Sequence, residues 1–138
     1  MARPSAFVDT SAMLALVNRD DALHDRAKQV NRTLAEASYE LVTSDWVLAE
    51  FLGGAAPITL RQAACRLIRR LQNSPRAIII PATRSDWKRA FDLYTSRPDK
   101  AWSFVDCSSI LFCQDRDIHE VFTHDHHFTQ AGLVVLIE

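Results

Sequence analysis

The stretch Ser103–Asp117, SFVDCSSILFCQDRD, predicts a helix that is apolar on almost every side except for one carboxylate, Asp106, in its first turn. This distribution is typical of a helix that lies in the core rather than on the surface. Because an ionised side chain at a buried position costs several kcal/mol unless a counter-charge compensates it, Asp106 is a candidate functional residue. Ser103 followed by an acid three residues later also matches a capping box, which is the structural alternative for Asp106.

Three further acids lie in similarly unusual positions. Asp9 directly follows the short apolar run Ala6–Val8, and Asp125 lies just beyond the run Val121–Thr123. Glu50 interrupts the hydrophobic face of a predicted helix. The structural alternatives are a helix N-cap for Asp9 and a solvent-exposed rim position for Glu50.

Short apolar strands alternate with helical segments along the chain. The predicted strands are Ala6–Val8, Leu41–Thr43, Ala77–Ile80, Val121–Thr123 and Val134–Ile137. The predicted helices are Ala12–Val17, Asp25–Ala37, Asp45–Gly54, Leu60–Leu71, a segment through Trp87–Tyr94, Ser103–Asp117 and a last short helix around Phe128. This alternation predicts a three-layer α/β fold, a central and mainly parallel sheet of about five short strands flanked by helices, in one domain spanning residues 1–138. The unbroken apolar character of residues 77–80 predicts a strand covered on both faces.

The composition restricts the classes of function. A net charge of -1 provides no overall basic field, so nucleic-acid binding requires a local patch. The one concentrated basic surface is the polar face of the predicted helix Leu60–Leu71, with Arg66, Arg69 and Arg70 as neighbours. These three arginines are candidate phosphate contacts, and an ordinary solvated helix face is the alternative.

The cysteines and the termini indicate a compartment. Cys65, Cys107 and Cys113 are odd in number, lack CxxC spacing and lie in apolar helical patterns, so we expect buried thiols in a reducing compartment. The sequence shows neither a signal segment nor an apolar run of about 20 residues, so we expect no membrane association and a cytoplasmic protein. It also lacks GxGxxG and P-loop motifs, which argues against nucleotide-cradling sites.

The four acids together predict a metal site. Carboxyl ends of parallel strands share one edge of a sheet, where open α/β folds bind their ligands. Four carboxylates gathered there could not all remain ionised unaided, and Mg²⁺ or Mn²⁺ would relieve their repulsion with oxygen ligands. Such a centre, without a nucleotide-binding loop, favours hydrolysis of a phosphodiester.

With these residues in view, the chain resembles PIN-domain ribonucleases, and among them the small VapC-like toxins of toxin–antitoxin pairs. The resemblance covers nearly all 138 residues. It rests on four short motifs in the same order, FVDTS at Phe7–Ser11, VLAEFLGG at Val47–Gly54, WSFVDCSS at Trp102–Ser109 and FTHDHHF at Phe122–Phe128.

The resemblance implies specific roles for residues of this chain. The implied metal ligands are Asp9, Glu50, Asp106 and Asp125. The implied supporting hydroxyls are Thr10 or Ser11 beside the first acid and Thr123 before the last. The resemblance also implies an RNA substrate, a homodimer and inhibition by a cognate antitoxin that inserts a segment into the active-site groove.

Two other interpretations remain open. A catalytically silent module could use the same fold to bind RNA or a protein, and the arginine strip motivates this alternative. A phosphotransfer domain is poorly supported, because position 11 is Ser where a DxD motif needs an acid. His124, His126 and His127 surround the last acid; they could contact phosphate or assist proton transfer, and surface histidines on a short loop are the simpler interpretation.

Overall fold

The computed structural model describes residues 3–138, which form five strands and six α-helices. The strands are β1 (Ser5–Val8), β2 (Glu40–Ser44), β3 (Ala77–Ile80), β4 (Glu120–Phe122) and β5 (Val134–Val135). The helices are α1 (Thr10–Val17), α2 (His24–Glu36), α3 (Asp45–Gly54), α4 (Ile58–Asn73), α5 (Arg84–Ser96) and α6 (Phe104–Asp115), and a 3-10 helix covers His126–Ala131. Within these residues, no helix is both long and apolar enough to cross a membrane.

The strands form one sheet in the order β3-β2-β1-β4-β5, and every neighbouring pair is parallel. The predicted α/β fold with a central parallel sheet is therefore confirmed. The chain proceeds from β1 outward to β3, then returns to place β4 on the other side of β1. The strand order thus reverses between β1 and β4, and open α/β sheets bind ligands beyond the carboxyl ends of the strands at such a switch point.

The central strands supply the middle of the core. Phe7, Val42 and Val121 lie side by side in register on β1, β2 and β4, and all three are buried. β3 is an edge strand, and its coverage is only partial. Ile78 and Ile79, on opposite faces, are partly buried against the core, and Ile80 is buried.

The helices follow their sequence patterns closely. The apolar stripe of α4 faces the core, while Cys65 lies off this stripe and is exposed, so the prediction of a buried thiol there is wrong. Cys107 and Cys113 on α6 are buried, and all three cysteines are free.

An aromatic cluster fixes α3 against α6. The ring of Trp46 on α3 stacks on Phe112 with 6.0 Å between centroids and meets Phe104 edge-on at 6.1 Å. Aromatic pairs in these arrangements stabilise a contact by about 0.5–1.5 kcal/mol beyond the buried area. The cluster therefore holds the two helices that carry Glu50 and Asp106.

Candidate functional site

The carboxyl edge of the sheet brings residues from distant parts of the sequence together. Asp9 follows β1, Thr123 and Asp125 follow β4, and the Asp9 amide donates to the Phe122 carbonyl at 3.0 Å. That bond extends the pairing of β1 and β4 beyond the strands. Because β1 and β4 are neighbours, Asp9 and Thr123 meet at the switch point of the sheet.

Asp9 is buried with one oxygen unsatisfied. Its residue is 4% exposed, and Oδ1 has no hydrogen-bond partner within residues 3–138. Burial raises the pKa of Asp9 to about 6, bonds from the Thr123 hydroxyl and the Thr10 amide oppose this rise, and the charges of Asp106 and Glu50 add to it. Asp9 occupies the N-cap position of α1 but makes no side-chain cap bond, so capping does not account for its carboxylate.

Two hydroxyls connect the first acid to the last. Thr123 is fully buried, and its Oγ1 donates to Asp9 Oδ2 at 2.9 Å and accepts from the Asp125 amide at 3.0 Å. Ser11 Oγ lies 2.8 Å from Thr123 Oγ1 and accepts from the His124 amide at 3.0 Å. Since the Thr123 proton points to Asp9, the Ser11 hydroxyl donates to Thr123. The chain of hydroxyls therefore orients both the Asp9 carboxylate and the backbone that carries Asp125.

Asp106 serves as a cap and also faces the other acids. Its Oδ2 accepts from the Ser103 amide at 3.0 Å, and its own amide donates to Ser103 Oγ at 3.0 Å, which completes a capping box. Burial is the main cause of its raised pKa; bonds with Ser103 oppose the rise, and the charges of Asp125 and Glu50 reinforce it. The capping interpretation is therefore confirmed through Oδ2. Oδ1 makes no hydrogen bond within the described residues, and a role for Asp106 in metal binding stays a prediction.

The tightest group of potential metal donors includes a histidine. One ligand atom from each of Asp106, Asp125 and His127 lies within 4.8 Å of the others. His127 Nδ1 is 3.0 Å from Asp125 Oδ1, and Asp125 Oδ1 also accepts from the His127 amide at 2.9 Å. Trp102 Nε1 donates to the His127 carbonyl at 3.0 Å and so anchors the first turn of the 3-10 helix.

Glu50 lies at the rim of the cluster rather than within a hydrophobic face. The expectation of a buried glutamate is wrong, because this position of α3 is exposed. Its charge nevertheless raises the pKa of both Asp9 and Asp106, which places its carboxylate on the side of the helix that faces them. Glu50 is therefore the solvent-side member of the group.

Thr10 has a buried hydroxyl beside the site. Its Oγ1 makes no hydrogen bond within residues 3–138, and its backbone amide contributes to lowering the pKa of Asp9. Of the two hydroxyls adjacent to Asp9, Ser11 is the one that joins the network around Thr123.

The basic strip on α4 lies apart from the acids. Arg66 and Arg70 line a cavity of about 340 Å³ together with Arg19 and Lys28, whereas Arg69 on the same helix does not line it. None of these cations forms an ion pair in the part of the chain that the structure describes. The cavity adjoins the C-terminal end of α1, the helix that begins beside Asp9.

The donor set fits a divalent cation. A buried carboxylate oxygen without a partner is costly, and a bound cation would satisfy it. Asp9, Asp106 and Asp125 supply the carboxylate oxygens that Mg²⁺ and Mn²⁺ prefer. The sequence pattern did not indicate that His127 would join the closest donors, although its position two residues after Asp125 in the first turn of a short helix is the signal that could have suggested it.

Comparisons with known proteins agree with this architecture. The PIN domain model matches residues 6–133. VapC20 of Mycobacterium tuberculosis, a sarcin–ricin loop cleaving toxin, is 26% identical, with a TM-score of 0.78 over 94% of this chain and 96% of that chain. FitAcB from Neisseria gonorrhoeae is 19% identical, with a TM-score of 0.63 over 94% of this chain and 95% of that chain, which supports the fold alone. No curated protein sequence matches the chain. The match to the PIN domain spans nearly the whole sequence, and the chain therefore belongs to the PIN domain family.

Proposed function

We propose that this protein is a Mg²⁺- or Mn²⁺-dependent endoribonuclease that hydrolyses RNA phosphodiester bonds as the toxin of a toxin–antitoxin pair. The observation that carries the proposal is the buried Oδ1 of Asp9, which has no hydrogen-bond partner in the described residues and lies near the charges of Asp106 and Glu50. A purely structural carboxylate would have both oxygens satisfied.

The proposed ligands are Asp9, Asp106 and Asp125, with Glu50 at the open rim. When bound, a divalent cation supplies a water nucleophile at neutral pH and stabilises charge on the phosphate oxygens. The chain's own contribution is positional. Thr123 donates to the Asp9 carboxylate, and Thr123 and Ser11 together hold the backbone after β4. The exposure of Glu50 leaves the solvent side of the site accessible to a polymeric substrate.

An RNA substrate is supported by the similarity to a toxin that cleaves the sarcin–ricin loop. Arg66 and Arg70, with Arg19 and Lys28, form no ion pair within the described residues and support a second contact with the RNA backbone. Arg69 is on the same helix but does not line their cavity. Contacts of this type add affinity without reading sequence.

The same similarity supports a cognate antitoxin as the protein partner and the cytoplasm as the place of action. A homodimer is the proposed assembly, and the exposed side chains Leu52 and Ile58 on α3 and α4 are apolar surface that a second copy could cover. We treat residues 1–138 as a single functional domain, because all five described strands join one sheet.

Cleavage of a structured RNA in Mg²⁺ and Mn²⁺ tests the proposal. We expect Asp9→Asn and Asp106→Asn to abolish cleavage, and EDTA to do the same for the unmodified protein. Asp92→Asn is the matched control, because Asp92 is an exposed acid on α5. Activity that survives both site substitutions and EDTA would refute the proposed mechanism.

The competing candidate is a catalytically silent module that binds RNA or a protein, and the four cations that line the α4 cavity favour it. Calorimetric titration with Mn²⁺ separates the two functions. Saturable Mn²⁺ binding that weakens in Glu50→Gln supports the nuclease, whereas RNA binding without Mn²⁺ uptake or cleavage supports the silent module.

A further inference from the structure

His127 has a geometry that sets it apart from the other two histidines around Asp125. Its Nδ1 lies 3.0 Å from Asp125 Oδ1 and belongs to the group of donor atoms within 4.8 Å of one another. His126 is exposed and packs edge-on against the ring of His124, and the hydrogen bonds of His124 are with Ser11 and the Ile137 carbonyl. Of the three, only His127 therefore brings a nitrogen to two carboxylates.

The backbone holds His127 in this position. The Trp102 indole donates to its carbonyl, and its amide donates to Asp125 Oδ1. Both the carbonyl and the amide of His127 are therefore hydrogen-bonded, so the main chain that carries the imidazole is fixed. The side chains of His127 and Asp125 are 43% and 31% exposed, which leaves the donors open to an ion from solvent.

The acids around His127 have no Lys or Arg counter-charge within the described residues. Asp9 Oδ1 is buried and has no hydrogen-bond partner among residues 3–138, and Thr123 Oγ1 links Asp9 Oδ2 to the amide of Asp125. No Lys or Arg forms an ion pair with Asp9, Asp106 or Asp125 in the described part of the chain. The unsatisfied oxygen is an observation independent of the Asp106, Asp125 and His127 cluster. Asp9 is linked to the Asp125 amide through Thr123, so its demand for positive charge arises beside the cluster.

We propose that His127 is a nitrogen ligand of the metal centre, through Nδ1, alongside Asp106 and Asp125. This inference rests on the proposed nuclease function, and it predicts which divalent ion the site prefers. Mg²⁺ takes oxygen ligands almost exclusively, whereas an imidazole favours first-row transition ions. The site therefore binds Mn²⁺ in preference to Mg²⁺ by a margin that depends on His127.

A purely positional role for His127 is the competing explanation. In that case, Nδ1–H donates to Asp125 Oδ1 at 3.0 Å and only orients the carboxylate. His127→Asn separates the two roles, because the Asn amide can donate to Asp125 from about the position of Nδ1 but offers no ligand nitrogen. His126→Ala is the matched control on the adjacent exposed position.

Electron spin-echo spectroscopy of the Mn²⁺-loaded protein provides a direct test. We expect nitrogen-14 coupling from a coordinated imidazole in the unmodified protein and in His126→Ala, and its loss in His127→Asn and His127→Ala. Calorimetry should show Mn²⁺ affinity falling by at least about 10-fold in both His127 variants, since loss of a partner that only orients a ligand already costs about 10- to 100-fold. Mg²⁺ affinity should change much less.

The outcomes distinguish the two proposals. Mn²⁺ binding without nitrogen coupling, or full Mn²⁺ affinity in His127→Asn, would overturn the role of His127 while leaving the carboxylate site intact. Failure of the unmodified protein to bind Mn²⁺ at all would overturn this inference and the proposed metal-dependent function together. Thermal unfolding of each metal-free variant verifies that a lost signal does not come from a misfolded protein.

Discussion

The Asp9 carboxylate is buried, which is unfavourable for folding, and it is also a proposed metal ligand. Its position after β1 is buried enough to raise its pKa to about 6, and a single hydroxyl from Thr123 offsets part of that effect. The remaining oxygen has no partner among residues 3–138. At neutral pH the carboxylate is mostly ionised, so the metal-free protein carries an unfavourable charge that a divalent cation would neutralise.

Replacing Asp9 with Asn should stabilise the metal-free protein at alkaline pH. The folded-state pKa of about 6 exceeds the ordinary value of 3.8, so ionisation favours the unfolded chain by roughly 3 kcal/mol at pH 8. This penalty shrinks as the pH falls below 6 and disappears below about 4, where both states are protonated. Urea unfolding in EDTA should therefore show Asp9→Asn more stable than the unmodified protein at pH 8, with the difference fading at pH 4. A difference that stays constant with pH would contradict burial of the charge as its cause.

Replacing Thr123 with Val should destabilise the site and the fold. The valine keeps the volume but removes the donor to Asp9 and leaves the part-buried Asp125 amide without its acceptor. An unsatisfied buried group of this kind costs about 1–3 kcal/mol. We expect the free energy of unfolding to fall by that amount and RNA cleavage to be lost, whereas Thr123→Ser should retain both. If Thr123→Val and Thr123→Ser had the same free energy of unfolding and the same cleavage activity, the Thr123 hydroxyl would not support the site.

At the scale of elements, α6 carries in its first turn a residue for which the sequence offered two roles, capping and metal binding. The structure confirms that Asp106 caps the helix through Oδ2, and metal binding through Oδ1 stays a prediction. The strand–helix alternation and the acids at strand ends were predictable, because they depend on local patterns. The edge position of β3, the exposure of Glu50 and the approach of His127 to Asp106 were not, because each depends on packing between segments distant in sequence.

Substitutions can separate the capping role of Asp106 from its proposed role in metal binding. Ser103→Ala removes the acceptor for the Asp106 amide and should lower the free energy of unfolding by about 1 kcal/mol. The backbone amide of residue 103 is unchanged by the substitution and still donates to Asp106 Oδ2. We therefore expect much of the cleavage activity to remain. Asp106→Asn keeps an oxygen acceptor for the cap and should lose activity with little loss of stability. Chemical denaturation and RNA cleavage of both variants test this, and a parallel loss of stability and activity in each would contradict it.

At the scale of the whole molecule, the strand order decides where chemistry can occur. Asp9 and Thr123 are separated by 114 positions in sequence, yet they meet because β1 and β4 are neighbours at the switch point. Their gathering on one sheet edge was predictable from parallel strands, but the pairing of β1 with β4 was not. The same arrangement places the cation-lined cavity at the far end of α1, about 12 Å from Asp9 for an eight-residue helix.

The arginines that line this cavity predict which substitutions on α4 will weaken RNA binding. Arg66 and Arg70 line it and Arg69 does not, so three arginines on one helix provide their own control. In EDTA, where cleavage is blocked, Arg66→Ala and Arg70→Ala should weaken binding of a single-stranded RNA. The slope of log K against log salt concentration should become shallower by about 0.7 for each phosphate that is no longer neutralised. Arg69→Ala removes the same charge from the same helix and should have a smaller effect on both quantities. Fluorescence anisotropy across a salt series measures them, and equal losses in all three variants would mean that the RNA responds to the general charge of α4 rather than to a phosphate seated in the cavity.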